Sequence, residues 1–340
     1  MRTLASAVKT YDIDLVQAFD DYPILEAYGI CLWLRKPVYG IAAMQATPSY
    51  RLPKSRELAL VNAETKERYV SQLGWDPSKL RLIVARLDCQ YYRPYAPGDN
   101  STLSEFGIRS GDRVALLVTR VHPLKWDTIE LFLSAAEHWD RTRSDRQPLR
   151  FVVVGSGPLL PALKERASRL PDRSVTVTGE LIDIPAVMNE SDVVLGMAST
   201  CQQGLACGRP VIAMGDQGYT AVVAPENFEF LAHRHFNVHT KTSRNQPETL
   251  CQQIQETAFS PQRSRVLSEF GRKIALERFD SRIGARQLEE IYEHLAANND
   301  SSSIPRARHL GDLLLSYGSL LGFRVRRRIK RNLARLNSSS

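Results

Sequence analysis

Long apolar runs are missing from this chain of 340 residues: no uncharged stretch approaches the ~18 residues that a membrane-spanning helix requires. Residues 1–30 carry Lys9, Asp12, Asp14, Asp20, Asp21 and Glu26, which break up the apolar core that a signal peptide needs. Cysteine is sparse. Cys31, Cys89, Cys201, Cys207 and Cys251 are widely spaced and form no C-x-x-C pair, which argues against a zinc site and fits a reduced, cytoplasmic setting. Histidine does not occur before His122. Net charge is also missing from most of the chain. Of the 45 Lys and Arg and 37 Asp and Glu, residues 301–340 hold nine of the former and only Asp312 of the latter, so the formal +8 resides there. The balanced remainder gives no electrostatic footprint for a nucleic-acid-binding fold, and no specific nucleic-acid partner is expected.

What is present is length enough for one large core or two ordinary ones, since domains run to about 100–200 residues. Short apolar runs bounded by turn residues alternate with stretches of helical period, the pattern of β-α-β units and a parallel sheet. Strands are expected at Leu15–Phe19, Pro37–Ile41, Ala59–Val61 and Leu80–Val84, and later at Arg113–Val118, Leu149–Val154, Val175–Thr178, Val193–Leu195 and Pro210–Met214. Helices are expected at Tyr22–Leu34, Glu64–Leu73, Trp126–Trp139, Leu159–Arg169, Ile184–Glu190 and Thr200–Cys207. Three more follow at Glu248–Thr257, Pro261–Phe279 and Ser281–Ala297. The polar stretch Arg93–Asn100, bearing Pro and Gly, reads as a linker. The expected divisions are 1–92, a partial α/β domain; 93–297, a ligand-binding α/β domain with C-terminal helices; and 298–340, a basic tail.

Chemistry concentrates where strands end. Arg120 and Lys125 follow Arg113–Val118 and precede a helix, and in open α/β sheets ligands bind outside the carboxyl ends of the strands. Two cations there suit a diphosphate, although a solvated surface pair has the same appearance. Gly155-Ser156-Gly157-Pro158 joins a strand to a helix, where glycine permits close backbone approach and a helix N-terminus offers N–H groups to an anion. A tight turn alone explains it equally. Ser199 and Thr200 open a helix that stops at Gly208-Arg209-Pro210, and Thr200 with Gln203 has the spacing of a capping box, which is compatible with a ligand contact.

In their order, these segments resemble the donor half of family 4 retaining glycosyltransferases. Leu82-Ile83-Val84-Ala85-Arg86-Leu87-Asp88, followed by Tyr92-Arg93-Pro94, resembles the family's "IPNGVD…RF.P" stretch. Arg120 and Lys125 stand at the spacing of its "GRL…KG" pair, Gly155-Ser156-Gly157-Pro158 is similar to "G.GP", and Ala206–Ile212 to "EAMACG.PVI". Arg278-Phe279-Asp280 to Tyr292 is similar to the C-terminal "RFS…Y" helices. The resemblance spans residues 80–295 and implies a GT-B-like α/β fold: two Rossmann-like domains facing each other across a cleft, the second holding a nucleotide-diphosphate-sugar. It implies that Arg120 and Lys125 neutralise the departing diphosphate and that backbone near Gly155, Gly157, Ser199 and Thr200 cradles its oxygens. Glu180 and Leu181 would contact the base, and no metal or other cofactor would serve the chemical step.

The chain departs from the family in places. Gln203 stands where the second glutamate of E-x7-E binds the ribose diol, offering one acceptor oxygen and no charge. The first glutamate has no counterpart, since Leu195–Ser199 is short and apolar, as in members that read "GSGR.ALEAMA". The family places further strands and a Gly-rich loop ahead of the strand matching Leu15–Phe19, so the first domain is expected to be partial. Ala42, Ala43 and Met44 stand where a histidine is common. The resemblance assigns no catalytic residue. The expected activity is sugar transfer with retention to a polysaccharide or lipid-linked acceptor; the alternative is a degenerate relative that binds nucleotide-sugar or a partner without turnover. In the tail, Leu310, Leu313, Leu314, Tyr317, Leu320 and Leu321 recur at helical spacing ahead of an Arg-rich run. Residues 306–336 so arranged suit an anionic membrane surface, peripheral at the inner face; a self-packed or disordered tail is the other expectation.

Overall fold

The computed structural model describes residues 2–43, 50–84, 86–96, 101–109, 111–142, 148–170, 174–239, 246–297 and 306–337. The chain divides into two units, residues 1–84 with 284–340, and residues 85–283. The first begins with α1 (Arg2–Thr10), β1 (Val16–Phe19), α2 (Asp21–Leu34), β2 (Val38–Ala42), β3 (Leu58–Leu60), α3 (Ala63–Ser71) and β4 (Leu80–Leu82). Its four strands lie side by side in chain order, every pair parallel. Both faces are covered, so β2 and β3 are buried throughout and read as continuous apolar runs rather than alternating ones.

The second unit contains β5 (Arg113–Val118), α4 (Trp126–Thr142), β6 (Leu149–Val154), α5 (Leu160–Ser168), β7 (Val175–Gly179), α6 (Ile184–Asn189), β8 (Val193–Gly196), α7 (Ser199–Ala206) and β9 (Val211–Met214). It continues with β10 (Thr220–Val222), α8 (Phe228–His233), α9 (Pro247–Ala258) and α10 (Pro261–Arg278). The sheet order is β10-β9-β8-β5-β6-β7, the reversal of direction at β5 being the topological switch point of a doubly wound fold. Side chains alternate between two cores: Val114 and Leu116 join Val152, Val194 and Phe236 on one face, and Ala115 and Leu117 join Phe132, Phe151 and Ile254 on the other. The sequence pattern implied a parallel sheet, but this one is not wholly parallel, because β10 returns antiparallel along β9 after a tight turn. The segment expected as a linker is held where it is described: Asn189 accepts from Tyr95 N at 3.1 Å and donates to Arg93 O at 3.0 Å. Residues 97–100 of that expectation lie outside the described residues.

The chain rejoins the first unit within α11 (Ser281–Ala297), whose Leu288, Ile291, Tyr292 and Leu295 pack on Tyr39, Ile41 and Ala59. The last helix, α12 (Arg306–Asn337), also belongs to this unit, where the sequence had suggested a separate tail from residue 298 and a division after residue 92. The reason lies in α2, which is apolar on nearly all sides and buries Ile24, Leu25, Ala27, Tyr28, Ile30 and Cys31. A helix apolar all round needs cover on its outer side as well as from its sheet. Leu313 and Leu320 supply that cover, and Gly29 lets Tyr317 approach so closely that a β-carbon there would lie 3.3 Å from its hydroxyl. His309 Nδ1 lies 2.8 Å from the Tyr28 hydroxyl, within the same buried seam.

Candidate functional site

The carboxyl edge of the six-stranded sheet brings together the residues singled out in the second unit. The loops after β5 and β6 are laced by Thr119 N to Val154 O at 3.0 Å, Val121 N to Ser156 O at 2.9 Å and Leu159 N to Val121 O at 3.2 Å. Both glycines of the turn are dictated by this approach. A β-carbon on Gly155 would sit 1.8 Å from Thr119 O, and one on Gly157 would sit 2.3 Å from Val121 O. Their φ angles of 146° and 153° are ones that other residues rarely adopt. The Gly155 N–H, expected to face an anion, donates instead to Gly179 O at 2.8 Å. Ser156 Oγ donates to Glu180 Oε2 at 3.0 Å, so the loop after β7 joins the same cluster, with Leu181 packed on the core and Ile182 exposed.

Arg120 is exposed at this edge. Lys125 is half-buried, its Nζ 2.9 Å from Met197 Sδ and 3.9 Å from Asp216 Oδ1, so it spans the ends of β8 and β9. Asp216 Oδ2 lies 2.5 Å from His239 Nδ1. His122 Nδ1 accepts from Leu124 N at 3.3 Å, opening the short turn that carries Lys125. Asp216 was not anticipated, yet it follows β9 at the same edge, and the rule that selects Arg120 and Lys125 selects it too.

The capping box expected at Thr200 is not formed. The residue preceding α7 is Ala198, and Thr200 lies inside the first turn with its N–H on Met197 O at 3.0 Å. Its hydroxyl points toward Val118 O at 3.4 Å, tying α7 to the end of β5. Gly196 makes room for this: a β-carbon there would meet Thr200 Cγ2 at 2.4 Å. Among the groups expected to face phosphate, the N–H of Ser199 is in the first turn, where no intrahelical acceptor exists. Ala198 has φ 49° and ψ −122°, a conformation that costs a residue with a β-carbon on the order of 1–3 kcal/mol.

Gln203, at the family's diol position, hydrogen-bonds the Tyr92 side chain. Burial, with the neighbouring Tyr91, raises the Tyr92 phenol above its usual range, and the bond with Gln203 acts against that shift. Behind α7, the Gln202 amide lies 3.4 Å from His235 Nδ1, and Ala198 N donates to Phe236 O at 3.4 Å. His235 and Phe236 both have positive φ. Burial, and secondarily the charge of Arg86, pushes the His235 imidazole down to about 4, so it braces this corner as a neutral ring. Nothing in the spacing of His235 marked it out, because its partner is brought from α7 by the fold.

In the first unit the carboxyl edge carries an acidic pair. Asp20, at φ 63°, accepts from Ala43 N at 3.0 Å. Burial, followed by the charge of Asp20, raises Asp21 to about 6. Among the described residues no cluster of three or more His, Cys, Asp or Glu is arranged to hold a metal ion.

Residues 112–255 match the family model described as glycosyl transferases group 1. A D-inositol 3-phosphate glycosyltransferase of Rhodococcus jostii is 30% identical over 54% of this chain, which spans only 42% of that relative's length. Among solved structures, a glycosyltransferase from Rickettsia africae has a TM-score of 0.70 at 17% identity, covering 87% of this chain and 80% of its own. HepE of Anabaena, crystallised with UDP and glucose, has a TM-score of 0.63 at 18% identity, covering 86% and 82%. The chain therefore has a GT-B-like fold of Rossmann-like units, and its residues 112–255 are similar to the group 1 glycosyl transferases.

Proposed function

We propose that the second unit holds a nucleotide-diphosphate-sugar at the carboxyl edge of its sheet. In this proposal the chain transfers the sugar, with retention of configuration, to a polysaccharide or lipid-linked acceptor. The observation that carries the proposal is the convergence of Arg120, Lys125, the Gly155–Gly157 turn, Glu180 and the N-terminus of α7 on one edge. Positive charge and the Ser199 N–H at the start of α7 suit a diphosphate whose charge grows as the sugar departs. Gln203 faces the ribose diol, and the backbone at Glu180 and Leu181 faces the base.

In the transfer, the C1–O bond to the diphosphate breaks and its electron pair goes to the diphosphate. The acceptor hydroxyl attacks C1 from that same face, and its proton passes to the diphosphate oxygen. The protein supplies no nucleophile, and no metal or redox group takes part in the step. The HepE structure contains UDP and glucose, so UDP-sugars head the list of donors. The test incubates the chain with UDP-sugars and lipid-linked and oligosaccharide acceptors, following phosphorus and anomeric proton resonances. Release of nucleoside diphosphate with an unchanged anomer in the product supports the proposal. An inverted anomer contradicts retention, and bound but unconverted donor replaces transfer by binding without turnover.

A further inference from the structure

The helix that closes the first unit is apolar on two sides. One side, with Leu313, Ser316 and Leu320, is buried against the unit. The other carries Leu310, Leu314, Leu315, Leu321 and Val325, each more than half exposed. At 3.6 residues per turn these lie within an arc of about 140°. The remaining positions of that arc, Gly311, Gly318 and Gly322, contribute no charge. An exposed patch of this kind on a helix whose opposite side is already buried marks an interaction surface.

Charge around the patch is mainly positive. Arg324, Arg326, Arg327 and Arg328 are exposed at its C-terminal end, the first lying 5.4 Å above the Tyr22 ring. On its flank, beside Gly311 and Leu315, a cavity of about 450 Å³ is lined by Arg51, Lys54 and Lys79 against a single carboxylate, Asp312. Asp312 is already engaged by Arg51 Nη2 at 2.5 Å and Ser55 N at 2.8 Å. Arg51 Nε is buried without a hydrogen-bond partner among the described residues. Apolar side chains rimmed by cations suit a surface where hydrocarbon adjoins phosphate. No described helix is long and apolar enough to cross a membrane, so the helix would lie in the interface plane.

We propose that the outer face of α12 from Leu310 to Val325 docks the chain on an anionic lipid bilayer, with a lipid headgroup phosphate seated in the cavity lined by Arg51, Lys54 and Lys79. The inference stands apart from the transfer reaction, since it rests on the first unit alone. The experiment is co-sedimentation of the full chain with vesicles of phosphatidylcholine, with and without 30% phosphatidylglycerol. Binding to the anionic vesicles at least tenfold above the neutral ones is expected, and it should weaken as salt rises. Leu314→Asp with Leu321→Asp, and separately Arg326→Glu with Arg328→Glu, should each lose tenfold or more. Lys54→Ala with Lys79→Ala should lose several-fold. All three pairs are checked for unchanged thermal unfolding, and the exposed arginine pair serves where another fails to fold. Equal binding to both vesicles, or variants that bind like the parent chain, overturns the proposal. So does a concentration-dependent dimer that the leucine pair abolishes in the absence of vesicle binding.

Discussion

A β-carbon placed on Gly155 would come within 1.8 Å of the carbonyl oxygen of Thr119, so the turn after β6 and the loop carrying Arg120 are in backbone contact. Gly155→Ala must move one of the two chains and also adopt a φ of 146°. A loss of at least about 2 kcal/mol in urea unfolding is expected, with weakened nucleotide binding, because the Arg120 loop moves with the strain. An alanine variant as stable as the parent would show that the two loops do not depend on each other.

Ala198 is the converse case. It holds a conformation suited to glycine immediately before α7, so Ala198→Gly should raise stability by about 1 kcal/mol. Denaturant midpoints at constant slope measure the gain. If the substitution destabilises instead, the strain at this helix terminus is not what the backbone angles indicate.

Asp216 sits 3.9 Å from Lys125, on the edge proposed to receive a diphosphate. A partly exposed pair of this kind is worth up to about 1 kcal/mol. Asp216→Asn frees the ammonium and removes a like charge from the approaching anion, so affinity for UDP should rise by up to about fivefold, with the gain shrinking at high salt. Unchanged affinity at low salt would place the diphosphate away from Lys125.

The neutral, buried His235 makes stability depend on pH. Its folded-state value of about 4 lies below the ordinary 6.5, so the unfolded chain takes up a proton first as pH falls. The contribution is fully present above about pH 6.5 and is lost on descending toward pH 4, by about 3 kcal/mol in all. Asn tolerates the positive φ at this position, so His235→Asn should flatten the acid side of the profile in urea titrations at pH 7 and 4.5. An identical slope in parent and variant would assign the acid sensitivity elsewhere.

Periodicity and turn chemistry made most elements legible, because their causes are local. Arg113–Val118 and Leu149–Val154 form strands over the expected residues, and Ser281–Ala297 a helix. The short β10 and α8 escaped notice, being three and six residues long and held by their neighbours rather than by pattern. The glycine turn and the two cations were legible as a strand-end cluster. Their reason was only half legible, because the contact of Gly155 with Thr119 exists only once two strands lie side by side. Thr200 misled for a related reason: capping-box spacing is a local signal, and the helix start was set instead by Ala198 and by the pull of the Thr200 hydroxyl toward Val118. Asp216 and His235 act through partners far away in the chain, Lys125 and Gln202, and sequence spacing carries no trace of such pairs. The Leu-rich tail showed its helical period, but not that α2 needed half of it for cover.

Calorimetric titration of UDP and other nucleoside diphosphates, and of their sugar conjugates, into the chain and into its Arg120→Ala, Lys125→Ala double variant tests the donor site most directly. Micromolar binding by the parent, lost by at least tenfold in a variant that unfolds at the same temperature, is the expected result. No binding by the folded parent, or equal binding by the variant, would contradict a diphosphate site at this edge of the sheet.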